Sequence, residues 1–481
     1  MSRTGNGALI ALNAIGKQDQ ILYNLDSFDE TQSPFNHEHT QYSHYTKFYK
    51  SYVREPSDGS ATWPFTGDGV KVGFILDPRV SGDLLTNMFL KMSLPAISDG
   101  LWTDKLGRAI IQSIEFRVDS IVVDKLTDLD LVVRDELFTT EHDKTVKNYL
   151  QNGRLYKNSM TKENLRLNPD VLPLSPNHNK SAKEFYIDLG FCFNRRHDYK
   201  PEAFPICAVS NQNIYIDIQF RPVTWFTNTT SVVGASKVTL VTEQVSLSEQ
   251  ERLFMSKSPL TFRYKNIQPL ISVQTDTDAN SISQTSDTSG SVDSLTVQLK
   301  GSRKTSAILW TFQNRRFKNL AAQDSLNSNL FLNRYNFSSH ENYSAISPLD
   351  GGYVEPYYGF NEVNFPLCSK IELLYSKNDL RLLYADNSSG TIPSTSSFFR
   401  NISSQTRGLY TPSKNIFSHC FEDEPMSPIM SGSHIDTLND YKLFTTLINN
   451  PEVRSNVYDL HIFTISYFEL EFKDGYLIKK I

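Results

Sequence analysis

Ile214-Tyr-Ile-Asp-Ile-Gln-Phe220 has an apolar residue at every second position. Such alternation is typical of a β-strand with one face on a core and the other in solvent. The same period recurs in both halves of the chain, at Met88-x-Leu-x-Met-x-Leu94, Ile114-x-Phe-x-Val118, Leu295-x-Val-x-Leu299 and from Leu460 to Phe472. The sequence therefore predicts β-strands in both halves.

Composition supports this β reading and excludes one class of function. Aromatic residues make up 12% of the 481 residues, and aromatic and β-branched residues favour strands. A length of 481 residues suggests two domains or a few large β units. The 48 basic and 53 acidic residues leave a net charge of −5, so we expect no basic surface for a nucleic-acid backbone.

Cysteine usage and hydropathy indicate the compartment. The cysteines Cys192, Cys207, Cys368 and Cys420 lack Cys-x-x-Cys spacing, so we interpret them as free thiols in a reducing environment. No apolar run reaches the roughly 18 residues of a membrane span, and residues 1–12 do not resemble a signal peptide. We expect a soluble, unsecreted protein.

Helix signals are few and the connections are long. A Ser-x-x-Glu capping box at Ser246 to Glu249 predicts a short helix over Gln250 to Lys257, and Arg134 to Gln151 is weakly amphipathic. Long polar loops, such as Asn152 to Lys183, separate the strands. The pattern predicts two antiparallel β units packed as sandwiches or jelly rolls.

Catalytic motifs are missing from the sequence, and one metal-site hypothesis remains. The imidazoles of His37, His39 and His44 include a His-x-His pair, which places two rings on one face of a strand. Metal-dependent cupin enzymes use such a pair with a nearby glutamate, and that glutamate is absent after His39. We expect no metal and no other cofactor. The Asn-x-Ser/Thr sequons are candidate glycosylation sites, several of which arise by chance in an Asn-rich chain: Asn179, Asn228, Asn336, Asn342, Asn387 and Asn401.

The order of several motifs resembles the major capsid proteins of nucleocytoplasmic large DNA viruses, the group that includes iridoviruses, phycodnaviruses and marseilleviruses. The block Arg79 to Ala96 is similar to that family's Gly-Asp-Leu turn, strand and Leu-Pro end, and Ile110 to Asp124 is similar to its long strand ending in Ile-Asp. Glu251-Arg252 resembles the helix that closes the first jelly roll. The structural signature residues carried over are Gly82, Asp83, Leu84, Leu94, Pro95, Trp102, Gly107, Asp124, Glu251, Arg252, Trp310, Asp379, Arg381, Ile435 and Asp436.

The resemblance implies an all-β double jelly roll: two consecutive eight-stranded jelly rolls with long loops and a few short helices. The implied divisions are an N-terminal arm at 1–19, a first jelly roll at 20–247, a helical connector at 248–260 and a second jelly roll at 261–481. We expect residues 1 to about 16 of the arm to become ordered only in an assembled shell. No catalytic residue is implied.

In function, the resemblance implies a structural protein of a large icosahedral double-stranded DNA virus. Three chains would form a pseudo-hexagonal capsomer in the outer shell of the virion, assembled in the host cytoplasm. The implied partners are neighbouring capsomers, minor capsid and penton proteins and, through minor proteins, the internal membrane, without direct nucleic-acid contact. The alternatives are a minor or specialised capsomer or scaffold paralogue, a metal-dependent cupin-like enzyme, and a secreted sugar-binding β protein.

Overall fold

The computed structural model describes the strands and helices of both halves of the chain together with some of their connections. The residues described are 49–55, 62–64, 69–94, 103, 105–140, 143–144, 147, 183–193, 203–226, 235–247, 249–270, 281–283, 294–299, 304–314, 334–335, 337, 348–349, 353–354, 368–375, 380–386, 409–410, 412, 414–422, 425, 440–447 and 457–480.

The strands of the first half form two antiparallel sheets. One sheet has the order β1-β10-β4-β7, with β2 added to β10 and β8 added to β4, and the other has the order β3-β9-β5-β6. The strands are β1 Tyr49–Glu55, β2 Thr62–Pro64, β3 Val70–Leu76, β4 Leu84–Leu94, β5 Ile111–Val118, β6 Ile121–Thr127, β7 Lys183–Asp188, β8 Phe204–Pro205, β9 Ile214–Phe220 and β10 Ala235–Ser246.

The strands of the second half form an equivalent pair of sheets and a short hairpin. One sheet has the order β11-β21-β14-β19, with β12 and β22 added to β21, the other has the order β13-β20-β17-β18, and β15 pairs with β16. The strands are β11 Leu260–Pro269, β12 Ser281–Ser283, β13 Ser294–Gln298, β14 Thr305–Asn314, β15 Pro348–Leu349, β16 Tyr353–Val354, β17 Cys368–Tyr375, β18 Leu380–Asp386, β19 Ile416–Cys420, β20 Tyr441–Leu447, β21 Val457–Lys473 and β22 Tyr476–Lys480.

Both halves have the same topology. When the eight principal strands of each half are numbered in chain order, leaving aside the short additions, the two sheets read 1-8-3-6 and 2-7-4-5 in the first half and again in the second. Antiparallel strands that alternate in this way between two facing sheets form a jelly roll. The predicted fold class is confirmed. The domain boundaries stay predictions, although the first set of sheets lies within residues 49–246 and the second within 260–480.

Strand β9 shows why the alternating sequence folds as it does. Ile214, Ile216, Ile218 and Phe220 are all fully buried, while the residues between them are half-buried. Each buried apolar side chain contributes roughly 1.5–3 kcal/mol relative to an exposed one. A register slip by one residue would turn this whole apolar row towards solvent, so the pattern fixes the pairing of β9 with β3 and β5.

The described helices are short and lie between strands. They are α1 Leu106–Ala109, α2 Asp128–Leu137 and α3 Glu249–Lys257, with 3-10 turns at Ile206–Val209 and Val223–Trp225, and residues 143–144 and 147 are also helical. Helix α3 agrees with the predicted helix. The other predicted helix, Arg134 to Gln151, is not one continuous helix. The capping box of Thr127 and Asp130 begins α2 at Asp128, α2 ends at Leu137, and residues 143–144 and 147 are helical again after a break. None of the described helices combines the length and apolar character needed to span a membrane.

The sheet that contains β14 is buried on both faces. Ile308 and Trp310 belong to the core of the second jelly roll, whereas Ala307 and Leu309 belong to an apolar cluster that also contains residues of the first jelly roll. All four side chains are fully buried. The two jelly rolls are therefore joined by a continuous apolar core rather than by a loose linker.

Candidate functional site at the contact between the jelly rolls

Two signature motifs meet where β10 leads into α3. The carboxylate of Asp83 accepts a 2.6 Å hydrogen bond from the backbone N–H of Leu247. Arg252 of α3 binds the same carboxylate in a bidentate manner, with Nε 2.7 Å from Oδ1 and Nη2 3.1 Å from Oδ2. The side-chain hydrogen bond from Arg252 to Asp83 and the negative charge of Asp83 raise the pKa of Arg252. The Gly-Asp-Leu turn thus fixes the start of the connector helix.

Gly82 is required for the close approach of this turn to β10. Its backbone N–H donates to Oε1 of Gln244 at 2.6 Å. A Cβ atom at residue 82 would lie 2.9 Å from the Cβ of Gln244 and 3.3 Å from the carbonyl oxygen of Val245. Any side chain here would push the turn away from β10, so the glycine is a steric requirement of the Asp83 contact.

Asp124, at the middle of β6, connects the two jelly rolls. The amide nitrogen of Asn266 on β11 lies 2.7 Å from each carboxylate oxygen of Asp124, and the N–H of Cys192 donates to Oδ2 at 3.1 Å. Asp124 is 3% exposed and Asn266 is 2% exposed. Burial raises the pKa of Asp124 despite the opposing charges of Lys480 and Arg134 and these hydrogen bonds.

Further hydrogen bonds near Asp124 join the second jelly roll to β6. Tyr264 of β11 donates its hydroxyl proton to the carbonyl oxygen of Val123 at 2.7 Å. Lys480 of β22 donates to the carbonyl oxygens of Val122 and Val123. These bonds satisfy polar groups that would otherwise be costly to bury between the two cores.

A second set of contacts joins the loops of the second jelly roll to α2 and the Val223–Trp225 turn. The hydroxyl of Tyr335 donates to Asp128 at 2.9 Å. The guanidinium of Arg334 lies over the ring of Trp225, with 3.8 Å between its Cζ and the ring centroid, and its Nε donates to the carbonyl oxygen of Trp225 at 2.5 Å. Burial lowers the pKa of Arg334 to about 10. The contact therefore contains desolvated charge as well as apolar surface.

Aromatic rings fill the apolar part of this contact. Phe204 of the first jelly roll lies 6.4 Å from Phe262 and 5.8 Å from Phe472 of the second, measured between ring centroids, and both pairs are T-shaped. Phe204 also packs edge-on against Phe116 at 5.0 Å within its own jelly roll. The chain of rings gives the two sandwiches one shared core.

A network of charges lies inside the first jelly roll around α2. The guanidinium of Arg108 binds Asp135 with two hydrogen bonds of 2.8 and 3.1 Å, and it donates to the carbonyl oxygen of Asp188 at 2.6 Å. Burial alone would raise the pKa of Asp135, but the charges of Arg108 and Lys147 outweigh it and lower that pKa to about 2. Arg108 is therefore a structural cation.

The other described signature residues occupy several separate places. Leu84 and Leu94 are buried at the two ends of β4, Gly107 and Glu251 are buried in α1 and α3, and the ring of Trp310 stacks on Phe417 with 6.0 Å between centroids. Arg381 is exposed, with a guanidinium nitrogen 3.7 Å from Glu372. The structure thus brings Gly82, Asp83 and Arg252 together, while Asp124 and Trp310 serve different contacts. The structural role of the signature set stays a prediction.

Several predicted features lie outside the described residues. They are the arm at 1–19, the His37, His39 and His44 cluster, the signature residues Pro95, Trp102, Asp379, Ile435 and Asp436, and the sequons at Asn179, Asn228, Asn336, Asn342, Asn387 and Asn401. Within the described ranges, no group of three or more His, Cys, Asp or Glu side chains could hold a metal ion. The four cysteines are free and buried, and burial raises the pKa of Cys207 to about 12.

Residues that sequence reasoning missed include Gln244, Asn266 and Lys480. Of these three, Asn266 is the one whose role the sequence best indicates. It is a polar residue next to an apolar one on a strand that faces the core, and a buried polar side chain must have a hydrogen-bond partner. Its partner lies 142 residues earlier in the chain. A single sequence contains no signal that identifies such a distant partner.

Comparison with known proteins agrees with this architecture. Residues 66–255 match the family model described as the major capsid protein N-terminus, a family of structural proteins rather than enzymes. No curated protein matches the chain in sequence.

Solved structures resemble the whole chain. A chain of the PBCV-1 virus capsid is similar, with 15% identity, a TM-score of 0.63, and coverage of 91% of this chain and 97% of the other. The Faustovirus major capsid protein is similar with 11% identity, a TM-score of 0.54, and coverage of 97% and 98%. These likenesses establish the fold over nearly the full length, and the family match covers the Asp83–Arg252 and Asp124 sites. Residues 66–255 are therefore similar to the N-terminal part of major capsid proteins, and the chain as a whole has the double jelly-roll fold of the solved capsid structures.

Proposed function

We propose that the protein forms a homotrimeric, pseudo-hexagonal capsomer in the outer shell of a large icosahedral DNA virus. The observation that carries this proposal is the repeated topology, with sheets in the order 1-8-3-6 and 2-7-4-5 in both halves of one chain. Three such chains around a closed threefold axis present six similar β-sandwiches, which is the arrangement that a hexagonal tile requires.

The contact between the jelly rolls supports this role. A tile transmits lateral forces through its subunits, so its two sandwiches must keep one mutual orientation. Here they share an apolar cluster, and the buried Asp124–Asn266 bond fixes their register. A loosely linked pair of domains would move relative to each other and would tile poorly.

Partners and location follow from the same proposal. The trimer would contact neighbouring capsomers, minor capsid and penton proteins and, through minor proteins, the internal membrane, without direct nucleic-acid contact. The protein would reside in the virion shell after assembly in the host cytoplasm. A minor or specialised capsomer or a scaffold role is the alternative within the same fold, and the proportion of this chain in purified virions would distinguish it.

The oligomeric state tests the proposal. Light scattering during size-exclusion chromatography, at micromolar protein, should give three times the mass of one chain, and electron microscopy should show a pseudo-hexagonal outline. A stable trimer should bury well over roughly 1,000 Å² at each interface and should persist on dilution. A monomer would contradict the proposal. About one zinc, iron or manganese per chain in elemental analysis would favour the cupin-like enzyme instead.

A further inference from the structure

The second jelly roll contains a lysine and a glutamate that are both completely buried and in direct contact. Nζ of Lys265 on β11 lies 2.7 Å from Oε2 of Glu422, and both side chains are 0% exposed. The two residues are 157 positions apart in the chain. Removing two charges from water is costly, and the attraction between them repays this cost only in part.

The hydroxyl of Tyr467 completes the group. It lies 2.6 Å from Oε1 and 2.8 Å from Oε2 of Glu422, and the ammonium nitrogen of Lys265 lies 4.5 Å from the centroid of its ring. Burial and the hydrogen bond to Glu422 raise the pKa of Tyr467, so the hydroxyl keeps its proton and acts as a donor to the carboxyl group.

We propose that Lys265 and Glu422 form an intramolecular amide bond, which makes this site a covalent cross-link within the second jelly roll. Transfer of one proton along the 2.7 Å hydrogen bond converts the ion pair into a free amine and a carboxylic acid.

The bond chemistry balances without any added reagent. The amine nitrogen of Lys265 attacks the carboxyl carbon of Glu422, and a C–N bond forms. The C–O bond to one carboxyl oxygen breaks, and that oxygen leaves as water with two protons, one from the acid and one from the amine. No electrons are gained or lost. Tyr467 donates to the oxygen that carries negative charge in the tetrahedral intermediate, as an oxyanion-hole donor does.

Proximity accelerates the reaction and dryness shifts its equilibrium towards the amide, whereas amide formation between free amines and acids in water is unfavourable. Well-oriented groups within one molecule react at effective concentrations of about 10⁵ M or more. The low water content of the buried site also opposes hydrolysis of the product. The amide removes both buried charges, so the product is easier to bury than the ion pair.

The location gives the cross-link a mechanical role. In the sheet order β11-β21-β14-β19, Lys265 lies on one outer strand and Glu422 lies two residues beyond the end of the other. An amide between them would tie the two outer strands across the central pair and close a large covalent loop. Such a bond would hold the sheet together under force on the shell.

The intact mass of the full-length protein, measured under denaturing conditions, tests the inference. We expect a mass lower by one water molecule than the sequence requires, and a branched peptide joining Lys265 to Glu422 after proteolysis. K265M and E422A should each have the full mass expected from their sequences. Y467F should contain a larger fraction of uncross-linked chain than the wild type.

A matched control is K414M, because Lys414 is also a buried lysine of the second jelly roll but donates to the carbonyl oxygen of Tyr335 at 2.6 Å. K414M should still lack one water molecule. A wild-type chain with its complete sequence mass, or a missing water mapped to other residues, would overturn the inference. The wild-type measurement decides the matter even if the variants fail to fold, and it leaves the trimer proposal untouched.

Discussion

The amide nitrogen of Asn266 in the second jelly roll lies 2.7 Å from both carboxylate oxygens of Asp124 in the first. Both side chains are buried, so water cannot replace either partner. The orientation of the two sandwiches thus depends on a hydrogen bond that is surrounded by apolar contacts. Apolar contacts are not directional, so they favour a buried area but do not fix a register, whereas the hydrogen bond does.

N266A should lower the free energy of unfolding by about 2–3 kcal/mol, because it leaves a buried carboxylate without one of its donors. Chemical denaturation at pH 7 would measure the loss. The matched control is N211A, since exposed Asn211 also bonds across the jelly rolls, to the carbonyl oxygen of Asp474 at 3.2 Å. The control should change stability by about 0.5 kcal/mol or less. Equal effects of the two changes would contradict our view of Asp124.

D83A should detach the start of α3, because Leu247 and Arg252 both lose their shared acceptor. We expect a loss of about 2–3 kcal/mol in the free energy of unfolding and faster amide hydrogen exchange through α3. E469A breaks a more exposed ion pair with Arg263 and should cost less than about 1 kcal/mol. If D83A left exchange in α3 unchanged, the proposed link between the two motifs would be wrong.

D130N should stabilise the protein at alkaline pH. Burial, reinforced by the charges of Asp128 and Asp124, raises the pKa of Asp130 from 3.8 to about 7, against its hydrogen bonds with Thr127. The folded state then holds a proton that the unfolded state has released, so stability falls as pH rises from about 4 to 7 and not further. Between pH 5 and pH 8, the stability of D130N relative to wild type should rise by roughly 3 kcal/mol.

The control for this pH profile is D135N in the same helix. The pKa of Asp135 is about 2, so the group is charged in both states throughout pH 5–8. D135N should therefore destabilise by about 3–5 kcal/mol, because it breaks the pair with Arg108, and by the same amount at every pH in that window. A D130N effect that is equally independent of pH would show that Asp130 is ionised in the folded protein.

W310A should cost about 3–5 kcal/mol, because Trp310 is the largest fully buried side chain of the described residues. Thermal unfolding would show the loss as a lower midpoint. Y476A is the control, since Tyr476 is 48% exposed and its removal should change stability by about 0.5 kcal/mol. A small effect of W310A would mean that the core of the second jelly roll can collapse around the cavity.

The sequence could predict the strands because their signals are local. The Ile214 to Phe220 alternation predicted both the strand and the face that is buried, as the structure confirms. The start of α2 is also a local signal, the capping box at Thr127, but the weak amphipathic pattern from Arg134 to Gln151 spans the end of α2, a break and a further helical stretch, and so does not mark where α2 begins. In β14, burial of both faces could not be predicted, because the covering residues come from distant segments.

The candidate site was only partly predictable for the same reason. The resemblance identified Asp83, Arg252 and Asp124 as separate signature positions. It did not predict that Asp83 and Arg252, which are 169 residues apart in the chain, bind each other. Lys480 carried no signal, because a lysine near an alternating strand usually lies in solvent. Its importance comes from its contact with β6, which only the folded chain reveals.

The distance between Lys480 and Val122 along the chain also affects how the protein is made. These residues are 358 positions apart, so a ribosome completes β6 long before it synthesises the strand that covers it. At roughly 5–20 residues per second, the nascent first jelly roll waits for tens of seconds with its contact surface exposed. A chaperone that protects this surface during translation would therefore affect the yield of folded protein more than one that acts after release.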